Sequence, residues 1–517
     1  MKYGKIIMLI IVLFTLFGCA SEPSQGETSA KTNGELRFAY SQQPASLDTH
    51  VNTNTATSDI MRHVYETLLT VDSDYNIQPM LADSWEQSED GKTITFQLRE
   101  GVLFHNGEEM LADDVVASMN RWKESAGSRS QFTDATFKAE DDYTVVLELP
   151  EQLSTALPAL AHSGTGLAAI MPKEIIENAS EDGVTEYIGT GPFQFEEWKQ
   201  DQEIHLTKFA DYNPRTEASD GSSGKKEALV DDIHFMFITD ASTRIAGIQS
   251  GEYDIAESIP YDNVEQLDND PDVDTMTYTA SSLVIHFNKR QGLFTDVKAR
   301  EAVAAALDIE SILKAAFVDE EYYTLNHNFM FVDQLKQWPS DSGKEIYNQN
   351  DPEKAEQLLS EMGYDGEEIR IITSRDGDTS YNASVVLLDQ LEKIGLNATL
   401  EVYDWPSLMS EREDETAYEI YVIGNTLVPE PTTTVFLRKD YAGWAEDPKL
   451  ETLLKEFRGQ ASLEDAQDLF DDLQKWYWDY IPAIKVGENQ AISATRSTVD
   501  NVQYQSGFIL WNVSNSK

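Results

Sequence analysis

Histidines are the first residues in this 517-residue chain that could do metal or acid–base chemistry. The eight are His50, His63, His105, His162, His205, His234, His286 and His327. No two of them have the HxH or HExxH spacing that places two imidazoles on one metal ion. The spacing therefore predicts no transition-metal cage built from protein ligands alone, and we expect no metal site.

Serine and glycine motifs do not indicate catalysis either. Ser163 lacks the first glycine of a nucleophile elbow, the turn that would expose its hydroxyl. The turns at Gly189-Thr190-Gly191 and Gly224-Lys225-Lys226 lack the glycine spacing of a phosphate loop and the Lys-Ser/Thr pair that ends it. Carboxylate pairs are uninformative in a chain with 91 acidic residues. We expect a protein that is not an enzyme and uses no cofactor, and a hydrolase is the third functional hypothesis.

The single cysteine, Cys19, follows an apolar run from Ile6 to Phe17. This run is too short to span a bilayer, and the small Gly18 fits the cleavage site of a bacterial lipoprotein signal. We expect a signal peptide at residues 1–18, a lipid on Cys19, and a flexible tether at 19–33. The protein would then be anchored to the extracytoplasmic face of a cell membrane, on a Gram-positive surface. An uncleaved anchor helix, or secretion without a lipid, is the alternative.

The formal net charge is -52, so nucleic acid and anionic lipid surfaces are poor partners. The acidity indicates either adaptation to a salty or alkaline habitat or a preference for cationic ligands. At this length the chain must form more than one packed unit, because single cores stop growing near 250 to 300 residues.

Local patterns predict a mixed α/β fold. Glu35 to Tyr40 alternates like a strand, and Trp85 to Leu98 predicts a hairpin that turns at Asp90-Gly91. A helix is expected from Asp351-Pro352 to Gly363, and another from Tyr381 to Ile394.

The second helix lies between Ile371-Ile372 and the alternating run that starts at Leu396, which is typical of a βαβ unit. The polar stretch from Pro214 to Lys226 predicts a surface loop.

A series of segments along the chain resembles family 5 of the extracytoplasmic solute-binding proteins, which serve peptide, dipeptide and nickel ABC importers. The most specific segment runs from Trp85 to Ser118 and includes Phe104-His105-Asn106-Gly107. Gly189 to Phe193, Asp240 to Ile255 and Phe294 to Ala306 continue the match, which covers about residues 35 to 515. From the residues alone, His105 and Asn106 are expected to hold backbone groups rather than a ligand.

The resemblance implies a two-lobed periplasmic-binding-protein-like fold of the large peptide-binding subclass, with mixed sheets and an inserted subdomain. Lobe 1 would be residues 34–283, with the insertion near 50–187. Lobe 2 would be residues 284–487, and residues 488–517 would return to lobe 1. Because the chain crosses twice between the lobes, hinge closure around a ligand is expected.

The resemblance also places the ligand contacts in loops that edge the cleft. We expect them at Tyr40, Ser41, Gln42, Gln43, Arg375, Trp405, Asn425, Thr426 and Leu427. Peptide-binding members place an aspartate for the ligand's amine in the loop that matches Gly424 to Pro431, and here Leu427 or a gap stands at that point. Glu430 aligns with a position that is usually structural.

The leading hypothesis is a monomeric importer lipoprotein that delivers an oligopeptide or similar small polar solute to ABC permease and ATPase subunits. The alternatives are a nickel or other metal-chelate binding protein of the same family, and a sensor or adhesion lipoprotein without a transport role.

Overall fold

The computed structural model describes residues 34–124, 131–180, 183–376 and 378–517. The expected signal peptide, lipidated Cys19 and tether therefore lie outside the described residues. Within these ranges, no helix is at once long enough and apolar enough to cross a bilayer.

The described strands, in chain order, are β1 (Glu35–Tyr40), β2 (Leu69–Val71), β3 (Ile77–Pro79), β4 (Ala82–Gln87), β5 (Thr93–Leu98), β6 (Thr136–Asp141), β7 (Thr144–Glu148), β8 (Phe193–Lys199), β9 (Glu203–Lys208), β10 (Asp232–Phe237), β11 (Ile255–Ala256), β12 (Val273–Phe287), β13 (Tyr323–Thr324), β14 (Glu368–Ser374), β15 (Asn397–Tyr403), β16 (Ile420–Asn425), β17 (Ala483–Arg496), β18 (Val499–Asp500), β19 (Gln503–Tyr504), β20 (Phe508–Ile509) and β21 (Ser514–Asn515).

The described α-helices are α1 (Thr55–Met61), α2 (Ala112–Lys123), α3 (Ala156–Ala161), α4 (Lys173–Glu177), α5 (Ala241–Ser250), α6 (Val264–Asp268), α7 (Val297–Ala306), α8 (Ile309–Phe317), α9 (Pro352–Met362), α10 (Asp378–Lys393), α11 (Trp405–Glu411), α12 (Pro448–Arg458), α13 (Leu463–Gln467) and α14 (Phe470–Tyr480).

The two longest strands, β12 and β17, form the centre of the largest sheet. Its order is β15-β14-β16-β12-β17-β11-β1-β10-β9-β8, with β13 paired to β17. β12 and β17 pair antiparallel from Val273 opposite Arg496 to His286 opposite Ala483. One end of this ladder pairs with β16 and the other with β11, so the two strands connect the regions expected as lobe 2 and lobe 1. The lobe boundaries expected at residues 283 and 487 fall inside these strands.

A separate sheet, in the order β4-β5-β7-β6, belongs to the region expected as the insertion. Its apolar face packs with α2 and α3 into a core of its own, which includes Phe96, Val115, Met119, Trp122 and Leu147. The stripe Val115, Met119 and Trp122 is buried as the periodicity of α2 requires.

The local elements read from the sequence are confirmed. β4 and β5 form the expected hairpin, and Gly91 in its turn has φ of 66°. Asp351 caps α9 by accepting a hydrogen bond from the Lys354 N–H, and Gly363 ends the helix at φ of 75°. β14, α10 and β15 form the βαβ unit, since β14 and β15 pair in parallel.

Residues 214–226 form a loop as expected, and residues 216–220 are exposed, but other side chains of the loop are buried. The segment has no helix or strand, but Arg215, Ser222 and Lys226 are buried. Lys226 pairs with buried Glu66 at 3.3 Å, and this ion pair offsets the cost of removing the lysine charge from water. The polar composition of the segment did not reveal that Lys226 would be buried and paired, because its partner Glu66 lies 160 residues away.

His105 joins two of the sequence motifs. Its Nε2 donates to the carbonyl of Gly191 at 3.0 Å, while its Nδ1 accepts from the N–H of Gly189 at 3.2 Å. The N–H of Gly191 in turn donates to the carbonyl of Val64 at 2.9 Å. Hydrogen bonds of His105 therefore hold the motifs at 104–107 and 189–193 together. The expectation that His105 holds backbone groups is confirmed.

We predict that Gly191→Ala destabilises the protein, because the new Cβ would lie 2.4 Å from the carbonyl oxygen of His63. Overpacking of this kind costs about 1–3 kcal/mol, and thermal unfolding followed by circular dichroism measures it. Gly424→Ala is the matched control, since its Cβ would meet its nearest atom at 3.4 Å. An equal loss in both variants would contradict the crowding argument.

Candidate functional site

A cavity of about 780 Å³ lies over the middle of the β12–β17 ladder. Thr277 to Ala280 of β12 and Asn489 to Ala491 of β17 line it. The register of the ladder shifts between Thr279 and Ser281, so Ala280 is an extra residue at this point. A bulge bends a strand and increases its local twist, and such bulges often adjoin functional sites.

The lobe 1 wall of the cavity is formed where neighbouring parallel strands end. β1 pairs in parallel with β11 and β10, and its end is followed by Ser41 and Gln42, while Glu257 follows β11. The Glu257 Oε1 atom accepts from the N–H of Ser41 at 2.8 Å and from its hydroxyl at 2.6 Å. Crevices at the carboxyl ends of parallel strands are a common place for ligands.

Aromatic rings cover another part of the wall. The rings of Tyr278 and Tyr504 are stacked with centroids 3.9 Å apart, and Phe508 meets both at steep angles. Tyr40 and Tyr75 also line the cavity. Rings presented in this way offer apolar surface together with a negative π-face.

Among the described lining residues, the charged side chains are Asp59, Glu257 and Asp333, and none is Lys, Arg or His. Burial raises the pKa of Asp59 to about 6, although the nearby Arg62 guanidinium opposes this rise. Burial also raises the pKa of Glu257 to about 7. The pKa of Asp333 is raised by burial and by the charge of Glu488. The cavity can therefore stabilise a positive charge and has no side chain on this wall to pair with a negative one.

Comparison with protein families identifies the chain. The family described as bacterial extracellular solute-binding proteins, family 5 Middle, matches residues 76–445. The chain belongs to this family.

Similarity to relatives extends over most of this chain. The chain is 30% identical over 475 residues to a probable peptide ABC transporter periplasmic-binding protein of Sinorhizobium fredii, with 87% of this chain and 88% of the relative covered. Among solved structures, the substrate-binding protein CtaP of Listeria monocytogenes superimposes with a TM-score of 0.82 at 23% identity, covering 94% of this chain and 100% of that one. The oligopeptide-binding protein AppA of Bacillus subtilis, solved with a nonapeptide, gives 0.75 at 22% identity, covering 94% and 99%. The two-lobed α/β fold expected from the sequence is confirmed.

In this family 5 protein, the structure brings five of the nine predicted contacts to the cavity. These are Tyr40, Ser41, Gln42, Thr426 and Leu427. Thr426 and Leu427 come from the loop that follows β16, in the region expected as lobe 2, so the cavity lies between the two expected lobes. That these residues touch a ligand stays a prediction.

Gln43 and Asn425 lie next to the cavity without lining it. The Gln43 side chain turns toward the β8–β9 turn, where its Oε1 accepts from the N–H of Asp201 at 2.5 Å. Asn425 is the last residue of β16 and pairs with Ser282 of β12.

Arg375 and Trp405 lie at the ends of β14 and β15, which are separated from β12 by β16. The Arg375 guanidinium packs over the ring of Tyr381 at 4.2 Å. The Trp405 N–H donates to Asp376 at 2.7 Å, and 45% of the residue is exposed. The two residues are not part of the cavity wall, and ligand contact by them also stays a prediction.

The 424–431 loop presents no carboxylate to the described wall. Leu427 lines the cavity where peptide-binding members are expected to have their aspartate. Glu430 is fully buried and caps a short 3₁₀ turn, accepting from the N–H of Thr432 at 2.6 Å and from its hydroxyl at 2.9 Å. Burial raises the pKa of Glu430 to about 7. Glu430 therefore has a structural role and does not line the cavity.

Sequence reasoning missed the three carboxylates and the tyrosines at 75, 278 and 504. Glu257 had a usable signal, because it follows Asp254-Ile255 at the end of a short strand beside β1. The others come from a helix, a turn and distant strands, so no local pattern links them.

We predict that the solute-free protein loses stability as Glu257 ionises. The pKa of this group is about 4.5 in an unfolded chain and about 7 in the fold, so its contribution is present below pH 4.5 and is lost as the pH rises through 7. Glu257→Gln keeps an acceptor for Ser41 but cannot ionise. Between about pH 5 and pH 8 its free energy of unfolding should gain up to about 3 kcal/mol relative to wild type.

Denaturant unfolding of both proteins across this pH range measures the difference. Asp59 and Arg244 are the charged groups near Glu257, and both are kept in the variant. Parallel pH profiles for the two proteins would contradict the assignment.

Proposed function

We propose that this family 5 protein is the receptor of an ABC importer and captures a peptide or a similar small polar solute that carries a free amine. The single observation that carries the proposal is the interlobe cavity, whose charged lining residues in the described chain are all carboxylates. The names of the relatives support the importer and peptide parts of the proposal. The volume of the interlobe cavity, about 780 Å³, is within the range of small-ligand pockets.

The amine is proposed to bind between Glu257, Asp59 and the tyrosine wall. Burial makes the charged forms of Glu257 and Asp59 costly, and an ammonium group would offset that cost. The π-faces of Tyr278 and Tyr504 would add attraction for the same charge. Carboxylates of lobe 1 would thus replace the aspartate that the 424–431 loop lacks.

A nickel ion chelated by a small organic acid, the alternative within the family, fits this wall less well. Such a chelator brings carboxylates of its own, and the described wall has no basic side chain to hold them. Sensing or adhesion without transport would use the same cavity and differs only in the absence of uptake.

Capture is proposed to close the two lobes about β12 and β17, with lobes at 34–283 plus 488–517 and at 284–487. In the described structure, residues of the two proposed lobes contact each other at more than one place. Ser154 of the insertion donates from its N–H to the carbonyl of Arg458 and from its hydroxyl to that of Phe457, both at 2.8 Å. Lys336 of lobe 2 also pairs with Asp74 of lobe 1. Polar contacts of this kind suit a hinge that opens and closes.

The solute would leave chemically unchanged, passed to permease and ATPase subunits by a monomeric receptor. We propose that a lipid on Cys19 holds the receptor at the extracytoplasmic face of a Gram-positive membrane. Nucleic acid is not a proposed partner.

The experiment begins with native mass spectrometry of protein purified from its own cell envelope, which identifies a co-purifying solute. We predict that this solute binds more tightly than its N-acetylated form and that Glu257→Gln weakens its binding by roughly 10- to 100-fold, the value of a charge-assisted hydrogen bond. Binding should strengthen from about pH 5 to about pH 7, because the free carboxylate at Glu257 ionises in that range. Isothermal titration calorimetry measures all three effects.

Glu252→Gln is the matched control, since Glu252 is exposed and lies outside the cavity. Equal affinity for the acetylated solute would contradict amine recognition. A cleaved solute, or solution scattering curves that superimpose with and without it, would contradict the receptor itself.

A further inference from the structure

Two histidines far apart in the sequence meet on the outer face of lobe 1. His205 of β9 and His234 of β10 are direct cross-strand neighbours in the antiparallel ladder. Their rings are stacked with centroids 4.1 Å apart and an angle of 10° between planes. Neither residue lines the interlobe cavity.

Each histidine has a carboxylate two residues before it on the same strand. The sequences are Glu203-Ile204-His205 and Asp232-Ile233-His234. Because side chains alternate along a strand, both isoleucines point into the core and the four polar side chains share the other face. Two imidazoles and two carboxylates are thus held on one rigid two-stranded surface.

Hydrogen bonds cross between the strands. The Nε2 of His205 donates to the Asp232 carboxylate at 2.8 Å, and the Nδ1 of His234 donates to that of Glu203 at 3.0 Å. A carboxylate only accepts, so in the neutral form the other nitrogen of each ring carries a lone pair. The bond from His234 to Glu203 resembles the way in which metal-binding histidines are oriented by an outer carboxylate.

We propose that His205, Asp232 and His234 bind a divalent transition-metal ion such as Zn²⁺, with Glu203 orienting His234. One ligand atom from each of the three residues lies within 4.8 Å of the others. Imidazole nitrogen and carboxylate oxygen are ligands that Zn²⁺ prefers, at about 2.0–2.2 Å. The rings must tilt out of their parallel stack, because each lone pair lies in its ring plane. About a fifth of each histidine side chain is exposed, which leaves room for this rotation.

The nearby side chains of Arg37 and Lys199 do not strongly repel a metal ion at this site, because each is already paired with a carboxylate. Arg37 lies opposite His234 on β1 and bonds to Asp254 at 3.1 Å. Lys199 bonds to Glu203 at 2.6 Å and lies 3.2 Å from Glu197. The lysine also limits Glu203 to the orienting role, since one of its oxygens is occupied. A bound ion would tie β9 to β10 and stabilise lobe 1 by mass action.

The test is titration of ZnCl₂ into chelator-treated protein by isothermal titration calorimetry. We expect one saturable ion per chain, lost in the double variant His205→Asn, His234→Asn and weakened roughly tenfold in Glu203→Gln. Glu356→Gln is the charge-matched control, because Glu356 is exposed on α9, which is not part of the strands that hold the site. No saturable binding by wild type, or unchanged binding by the double variant, would overturn the site.

A second measurement needs no variant. Co²⁺ added to the wild-type protein should develop the visible absorption of a nitrogen-ligated ion, and a spectrum identical to that of aqueous Co²⁺ would overturn the proposal. The site is independent of the proposed solute binding. Zinc should bind equally to Glu257→Gln, and the double histidine variant should retain its affinity for the solute.

Discussion

The antiparallel pairing of β12 with β17 is the constraint on which the rest of the structure depends. These two strands connect the regions proposed as the two lobes, and backbone hydrogen bonds along their length fix how the two regions are joined. The register shift at Ala280 sits at the floor of the cavity. The ladder therefore serves both as the connection between the lobes and as the surface on which a solute would rest.

Buried charges hold the elements that adjoin this ladder. Glu488 of β17 accepts from Lys485, from Asn326 and from the N–H of Val332, all in the interior. This cluster fixes the segment that places Asp333 at the cavity. Removing one partner from such a cluster would leave an unpaired charge in the core, which is why these residues occur together. In lobe 1, Lys226 and Glu66 pair in the same way.

The cavity differs from these clusters because none of its three described carboxylates forms a salt bridge, although Arg62 and Arg244 lie near Asp59 and Glu257. Asp59 and Glu257 are instead stabilised by hydrogen bonds from Tyr40 and Ser41, and burial still raises the pKa of each carboxyl group. The lack of a salt bridge to these carboxylates is the feature on which the proposed cationic guest rests, and the 424–431 loop places Leu427 at the cavity.

Much of the local structure followed from the sequence. The caps at Asp351 and Gly363, the Asp90-Gly91 turn and the alternation after Leu396 each predict an element from a few neighbouring residues, since their causes are local. Family membership also followed, because motifs such as Phe104 to Gly107 and Gly189 to Phe193 keep their order. Five of the predicted contacts were placed at the cavity because loops at strand ends converge there. Arg375 and Trp405 were placed away from it, because β16 separates their strands from β12.

The sequence by itself determined the α/β class, the family, the acidity and the elements whose signals span a few residues. Only the tertiary structure decided which distant side chains meet. It grouped Asp59, Glu257 and Asp333 around one cavity, and it set His205 beside His234 although their spacing along the chain predicted no metal site. The physical reason is that a turn or cap depends on neighbouring residues, whereas a site depends on strand pairing and sheet order, which bring together residues that no sequence spacing relates.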